Sequence, residues 1–347
     1  MSTVGILVNP RSGSDVRRLL TSAGSSTVED KVSILRRIIH GAAEAGAEQV
    51  VLTRDPFSIT RRATENLQLP LKLGFLDLSL HHNERDSVDA ARAMQDAGCG
   101  SVVSLGGDGT NRALALGWPD APLIPLSTGT NNAFPFHVEP TVAGVAAGLV
   151  ATGAVDLLAH SARAKVVSVE VHRADPEESG HETDGDTDMA LIDAVAVDDP
   201  YVGSLELFDP ETIRLGVFTQ ADPAAIGFSG LAGTVLPCHS GEERGVVLEF
   251  APPSRNPARL IRAALAPGWF ATVGLVRSEH LDLDTSIEVN GPCLLAFDGE
   301  RSRRLHPGQT ASLRVVRQGP RVIDVGAVVH SGARTGAFEV GMRDLGA

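Results

Sequence analysis

An apolar run, Val102-Val-Ser-Leu105, opens into Gly106-Gly-Asp-Gly-Thr110 and then into a helix-forming segment. Glycines in such a turn let the backbone approach a ligand closely or adopt positive φ. Amides at the start of the following helix face an anion. Asp108 sits awkwardly inside a phosphate-binding turn. The carboxylate makes sense there if it takes a proton from an attacking hydroxyl or holds Mg²⁺. Its structural alternative is a helix cap in a tight Asp-Gly turn. Gly106, Gly107, Gly109 and Thr110 would cradle phosphates, with Asn111 beside them.

A second loop, Ser127-Thr128-Gly129-Thr130-Asn131-Asn132, offers hydroxyls, amides and carboxamides without charge, which suits a triphosphate or a nucleoside. It also reads as an N-cap cluster before Ala133. The first strand ends in Asn9-Pro10-Arg11-Ser12-Gly13, which either closes the same crevice, with Arg11 its nearest cation, or simply turns the chain. Arg112 either neutralises phosphate or lies on a helix surface. Leu295-Ala-Phe-Asp298-Gly299-Glu300 places two carboxylates beside a glycine, although Asp-Gly is first of all a hairpin dipeptide.

Other chemistries are absent. No Gly-x-x-x-x-Gly-Lys-Ser/Thr occurs, no lysine lies near a glycine-rich loop, and no Gly-x-Gly-x-x-Gly follows the first strand. Gly227-Phe-Ser229-Gly-Leu lacks the second glycine of a nucleophile elbow. His81-His82 and Cys238-His239 lack metal-ligand spacing. The alternating acids Asp184, Asp186 and Asp188 are out of register for an EF-hand, so Asp175–Asp188 reads as a solvated loop.

These loops need a scaffold. At about 150 residues per domain, 347 residues make two domains. The expected division is an α/β nucleotide-binding domain over 1–155 and a β-rich acceptor domain over 156–347, the last residues returning to the first domain. In the first half, strands at Val4–Val8, Gln49–Thr53, Leu71–Leu76, Ser101–Leu105 and Leu123–Leu126 alternate with helices. Those helices are expected after the Thr27–Asp30 capping box, over Phe57–Leu67, over Asp86–Ala97, after Thr110 and over Thr141–Thr152. That alternation predicts a doubly wound parallel sheet. The second half predicts antiparallel strands at Lys165–His172, Met189–Val197, Thr212–Phe218, Val246–Phe250, Ile287–Val289, Leu294–Asp298, Ala311–Val316 and Val322–Val329, with one helix at Pro257–Leu265.

The chain carries 43 acids and 30 bases, a formal charge of −13, which excludes non-specific nucleic-acid binding. Three scattered cysteines build no disulfide framework and suggest a reducing, cytoplasmic compartment. The first residues lack the basic region of a signal peptide, and no apolar stretch nears the roughly 20 residues of a membrane span.

Together the motifs resemble the NAD kinase/diacylglycerol kinase superfamily. Asn9-Pro-x-Ser-Gly13 is similar to the first loop of its lipid-kinase branch, Ser127–Asn132 to its second nucleotide loop, and Asp298-Gly-Glu300 to its Asp-Gly-Glu element. Over residues 4–330 the chain looks most like the bacterial ATP–NAD kinase-like proteins associated with acetoin catabolism. Asn9–Leu19, Pro125–Pro135 and Ala225–Gly233 carry that closer match.

The resemblance implies an NAD kinase-like fold in which a β-sandwich-like domain follows the α/β domain. It implies Mg²⁺-ATP as phosphoryl donor, NAD as acceptor in NADP biosynthesis, and a homodimer or homotetramer. It carries the general base onto Asp108, or, from the lipid branch, onto Glu300. It makes Asn9, Pro10, Ser12, Gly106, Gly107, Gly109, Thr110, Asn111, Ser127, Thr128, Gly129, Thr130, Asn131, Asn132, Asp193, Asp298 and Glu300 nucleotide-binding positions. Ile192 stands where NAD kinases carry the Asn of an acceptor-holding pair, and only Asp193 of that pair remains. A lipid or polyol kinase, and a nucleotide-binding regulator without catalysis, are the rival readings.

Overall fold

The computed structural model describes residues 1–12, 27–128, 132–173, 187–198, 209–299 and 301–339. Gly13, Gly129, Thr130, Asn131 and Glu300 lie outside them, as do Asp184 and Asp186.

Uninterrupted apolar runs make β1 (Thr3–Val8) and β4 (Ser101–Gly106), each buried along its whole length. A parallel strand covered on both faces requires that. They lie near the middle of a seven-stranded sheet of order β3-β2-β1-β4-β5-β18-β6. Its other strands are β2 (Gln49–Leu52), β3 (Lys72–Phe75), β5 (Pro122–Ser127), β6 (Ser161–Arg163) and β18 (Arg321–Ile323). All are parallel except β6, which runs antiparallel to β18. Val8 pairs with Leu105 and Gly106 with Ser127. The loops after β1, β4 and β5 therefore leave the sheet side by side at its carboxyl edge, where open α/β sheets bind ligands.

Helix α1 (Val28–Glu44) starts at the expected capping box, with Thr27 and Asp30 bonding reciprocally. Its buried Leu35, Ile38 and Ile39 join Ala143, Ala146 and Ala147 of α5 (Pro140–Ala151) in one core with β1 and β4. Helix α2 (Ile59–Thr64) lies within the expected span. On the opposite face, Ala90, Ala91 and Met94 of α3 (Arg85–Asp96) and Leu114 of α4 (Asp108–Gly117) cover Leu7, Val102 and Leu123.

The second half is antiparallel. A seven-stranded sheet, β12-β13-β11-β10-β9-β15-β16, packs on a four-stranded one, β14-β17-β7-β8. The larger sheet holds β9 (Asp193–Val197), β10 (Ile213–Phe218), β11 (Arg244–Ala251), β12 (Arg259–Ala266), β13 (Trp269–Asp282), β15 (Cys293–Phe297) and β16 (Arg301–Leu305). The smaller holds β7 (Val166–Arg173), β8 (Thr187–Ala190), β14 (Ser286–Asn290) and β17 (Gln309–Val316). Alternate residues such as Val167, Val169, Ala194, Ala196, Val247, Phe297 and Leu313 meet between them. Helix α6 (Phe228–Val235) covers the other face of the larger sheet.

Three expectations fail for identifiable reasons. Pro257–Leu265 is not a helix. Ile261, Ala263 and Ala266 pair into a hairpin with β13 across the Pro267-Gly268 turn, and packing overrides alanine's helix propensity. Val322–Val329 is not one strand, because Asp324 caps α7 (Val325–Arg334) by accepting from Ala327 N. Met189–Val197 is two strands. The carboxylate of Asp298 takes the amides of Leu191, Ile192 and Asp193, which breaks the ladder there.

Candidate functional site

Gly106 ends β4, Gly107 caps α4 and Asp108 is its first residue. Neither glycine has positive φ. Close approach is what demands them. A Cβ on Gly106 would meet Thr110 Cβ at 2.4 Å, and one on Gly107 would meet Asn132 Oδ1 at 2.9 Å. The first-turn amides of α4, around Gly109 and Thr110, have no partners within the helix and carry its positive dipole end.

Side-chain bonds tie the three loops into one edge. Asn9 Nδ2 donates to Thr110 Oγ1 at 2.8 Å. The hydroxyls of Ser12 and Thr128 meet at 2.6 Å. Asn132 Nδ2 donates to Ser127 Oγ at 2.7 Å. Asn111 turns inward instead: it is fully buried, donates to Gly107 O at 2.8 Å, and its Oδ1 has no partner. Lys31 of α1, missed by the sequence reading, lies beneath the first loop. It is 1% exposed, and its ammonium donates to the carbonyls of Asn9, Pro10 and Ser12 at 3.3, 2.8 and 2.7 Å.

Asp108 is 8% exposed. Its carboxylate accepts from Ala133 N at 3.1 and 3.2 Å and from Phe134 N at 2.9 Å. It opens the helix without capping it: Gly107 is the cap, and the Asp108 carboxylate is held instead by the Ala133 and Phe134 amides. Asp193 and Asp298 stand across from it in the second half. Burial pushes the carboxyl of Asp193 well above the usual carboxylate range, and the charges of Asp298 and Asp108 add to that. Its Oδ1 has no hydrogen-bond partner. Burial also raises Asp298, opposed by the Leu191 and Ile192 amides, the Arg112 guanidinium and the Asp193 amide. Asp298 is the keystone of the 191–193 turn.

Arg112 is neither a surface residue nor a free cation. It is 1% exposed, bonded to the carboxylates of Glu84 and Asp188, and donates from Nε to Met189 O at 2.5 Å. Its guanidinium lies 5.9 Å from the centre of the Phe297 ring. It joins α4 to β8 and β15. Asp188 therefore belongs to a buried ion pair and not to a solvated loop.

A cavity of about 550 Å³ opens beside the loop edge. Asn9, Pro10, Arg11, Gly109, Thr110 and Arg54 contribute to its lining, while Asp108, Asn132, Asp193 and Asp298 do not. The volume lies in the usual range for a small-molecule site. Arg11 and Arg54 have no carboxylate partner among the described residues; Arg54 rests over the Phe75 ring at 5.2 Å. Two of the cavity's acids are spent on backbone amides. Asp55 accepts from Phe57, Ile59 and Thr60, and Asp86 from His81 and His82. Arg54 was not singled out in the sequence; its one signal is its place just after β2. Among the described residues no helix is long and apolar enough to cross a membrane.

A family model for the acetoin catabolism protein X C-terminal domain matches residues 179–318. A Cupriavidus necator protein named acetoin catabolism protein X is 33% identical, over 95% of this chain and 92% of its own length. Among solved structures, an NAD kinase from Archaeoglobus fulgidus in complex with ATP aligns with a TM-score of 0.39. It is 14% identical over 84% of this chain and 99% of that one. A Bacillus anthracis structure assigned as a diacylglycerol kinase aligns with a TM-score of 0.43 and 13% identity, over 93% and 98%.

Proposed function

The chain belongs to the acetoin catabolism protein X family, and from that premise we propose that it is an ATP-dependent kinase transferring a phosphoryl group to a hydroxyl acceptor. The observation that carries this reading is the loop edge itself. Asn9 bonded to Thr110 brings the first loop against the first turn of α4, beside a cavity lined by Arg11 and Arg54, neither of which has a carboxylate partner among the described residues. Helix-start amides and two guanidinium groups suit a polyphosphate. Phosphoryl transfer is mostly positioning and charge stabilisation, so a site without a P-loop lysine is sufficient.

The described residues offer no group of three or more His, Cys, Asp or Glu placed to hold a metal ion. Mg²⁺ in this reading enters with the nucleotide as part of the substrate, held through phosphate oxygens. Asp108 accepts the proton of the attacking hydroxyl. The Ala133 and Phe134 amides hold its carboxylate in place for that role.

NAD is the first acceptor to test. Ile192 favours a second reading. It is buried, presents no polar side-chain atom, and has its amide committed to Asp298. A site built this way gives a nucleotide or polyol hydroxyl little to bond, which favours a lipid acceptor, or nucleotide binding without transfer. The deciding experiment follows labelled γ-phosphate from ATP to NAD, then to polyol and lipid alcohols, for the native chain and Asp108→Asn. Transfer to any one acceptor that disappears in Asp108→Asn supports the kinase and identifies its acceptor. ATP binding with no transfer to any of them leaves a nucleotide-binding regulator.

A further inference from the structure

We infer that Gln220 is a positioning residue that holds and polarises the carboxylate of Asp108 through a single peptide group. Gln220 follows β10 in the antiparallel half. Its Nε2 donates to the carbonyl oxygen of Ala133 at 2.7 Å. That carbonyl belongs to the same peptide unit as the N–H of Phe134, which donates to Asp108 Oδ1 at 2.9 Å. One planar amide therefore relays a donor on one half of the protein to the carboxylate on the other.

The relay has a physical consequence. A donor on a peptide oxygen draws electron density away from the nitrogen and strengthens the hydrogen bond its N–H makes, so chained bonds reinforce each other. Here the last acceptor is a carboxylate, where such bonds are strongest. Gln220 is itself fixed. Ser229 Oγ donates to its carbonyl at 3.2 Å, and the preceding Thr219 bonds Leu191 O at 2.7 Å and Ile192 O at 2.9 Å. The 191–193 turn and the Asp108 turn are thus referenced to the same point at the end of β10. The charged groups around this relay are Asp193, which feels the charge of Asp108, then Asp298, and Arg112 beyond it. None of them is hydrogen-bonded to the Ala133–Phe134 peptide.

The functional part of this inference rests on Asp108 as the base of the proposed transfer. The structural part does not, and the test separates them. Amide proton shifts of Ala133 and Phe134 are read by NMR in the native chain and in Gln220→Met. The carboxyl midpoint of Asp108 is read from ¹³C-labelled aspartate, with Asp108→Asn identifying the resonance. The relay predicts an upfield shift of Phe134 alone and a higher Asp108 midpoint. Equal movement of both amides, or an unmoved midpoint, overturns it. Should Gln220→Met fail to fold, Gln220→Glu at pH 8 keeps the shape without the donor, and the Ala133 and Phe134 amide shifts decide. A displaced midpoint with full transfer activity in Asp108→Asn would sink the base assignment while leaving the relay intact.

Discussion

The side-chain amide of Asn9 and the hydroxyl of Thr110 meet at 2.8 Å across 101 positions of sequence. This bond makes the turn after β1 and the first turn of α4 one surface. Parallel pairing of Val8 with Leu105 brings the two strand ends level, and the side chains complete the join.

Replacing Asn9 by Ala removes that join and leaves the Thr110 hydroxyl to water. The side chain also accepts from Arg11 N at 2.9 Å, so two hydrogen bonds go, and the expected loss is about 1–2 kcal/mol of folding stability. ATP affinity should fall several-fold more than that of Ser12→Ala, whose bond joins the first loop to Thr128. Urea unfolding and calorimetric titration measure the two effects. An unchanged ATP affinity in Asn9→Ala would remove this loop from the nucleotide site.

Lys31→Met tests the same loop from beneath. Three carbonyls lose the ammonium; Asn9 O keeps the Ser12 amide at 3.3 Å, which leaves two unsatisfied at about 1–3 kcal/mol each, so the variant should lose at least about 2 kcal/mol. A smaller loss in urea unfolding would mean that water replaces the ammonium.

Much of this was legible in the sequence, for reasons that also mark where legibility ends. The strand–Gly-rich turn–helix signal at Val102–Thr110 is local, and so are the Thr27–Asp30 box and the apolar spacing of α1. Lys31 was invisible as a loop cation because its partners lie 19 to 22 positions earlier. Glu84 and Asp188, the partners of Arg112, lie 28 and 76 positions away. Long-range pairing also hid β13, whose 14 residues mix exposed Trp269, Val276, Arg277 and Glu279 with buried ones and show no regular alternation. The 191–193 turn needed Asp298, more than a hundred positions on.

Asp193 makes stability pH-dependent in a known direction. Its folded carboxyl titrates well above the unfolded value because of burial and the neighbouring Asp298 and Asp108. Between those two values the folded chain holds a proton that the unfolded chain has released. Stability therefore falls with rising pH across that window, by about 1.4 kcal/mol per unit. Asp193→Asn removes this slope. It should be more stable than the native chain at pH 7, with the advantage vanishing near pH 4. Urea midpoints from pH 4 to 8 decide; a variant with the native slope would show that another acid titrates.

Arg54 sets the last expectation. Its guanidinium is held over Phe75 on the cavity wall without a carboxylate partner among the described residues. A cation held that way is ready for an anion, and a charge-assisted bond lost to substitution changes affinity by roughly tenfold or more. Arg54→Gln should therefore weaken ATP binding by about tenfold and adenosine binding hardly at all. The native affinity for ATP should also fall more steeply with added salt than the variant's, because one charge contact has been removed. Titrations of both ligands at two salt concentrations measure this. Equal losses for ATP and adenosine would place Arg54 against the base or sugar, and the polyphosphate end of the cavity would then belong to Arg11 and the first turn of α4.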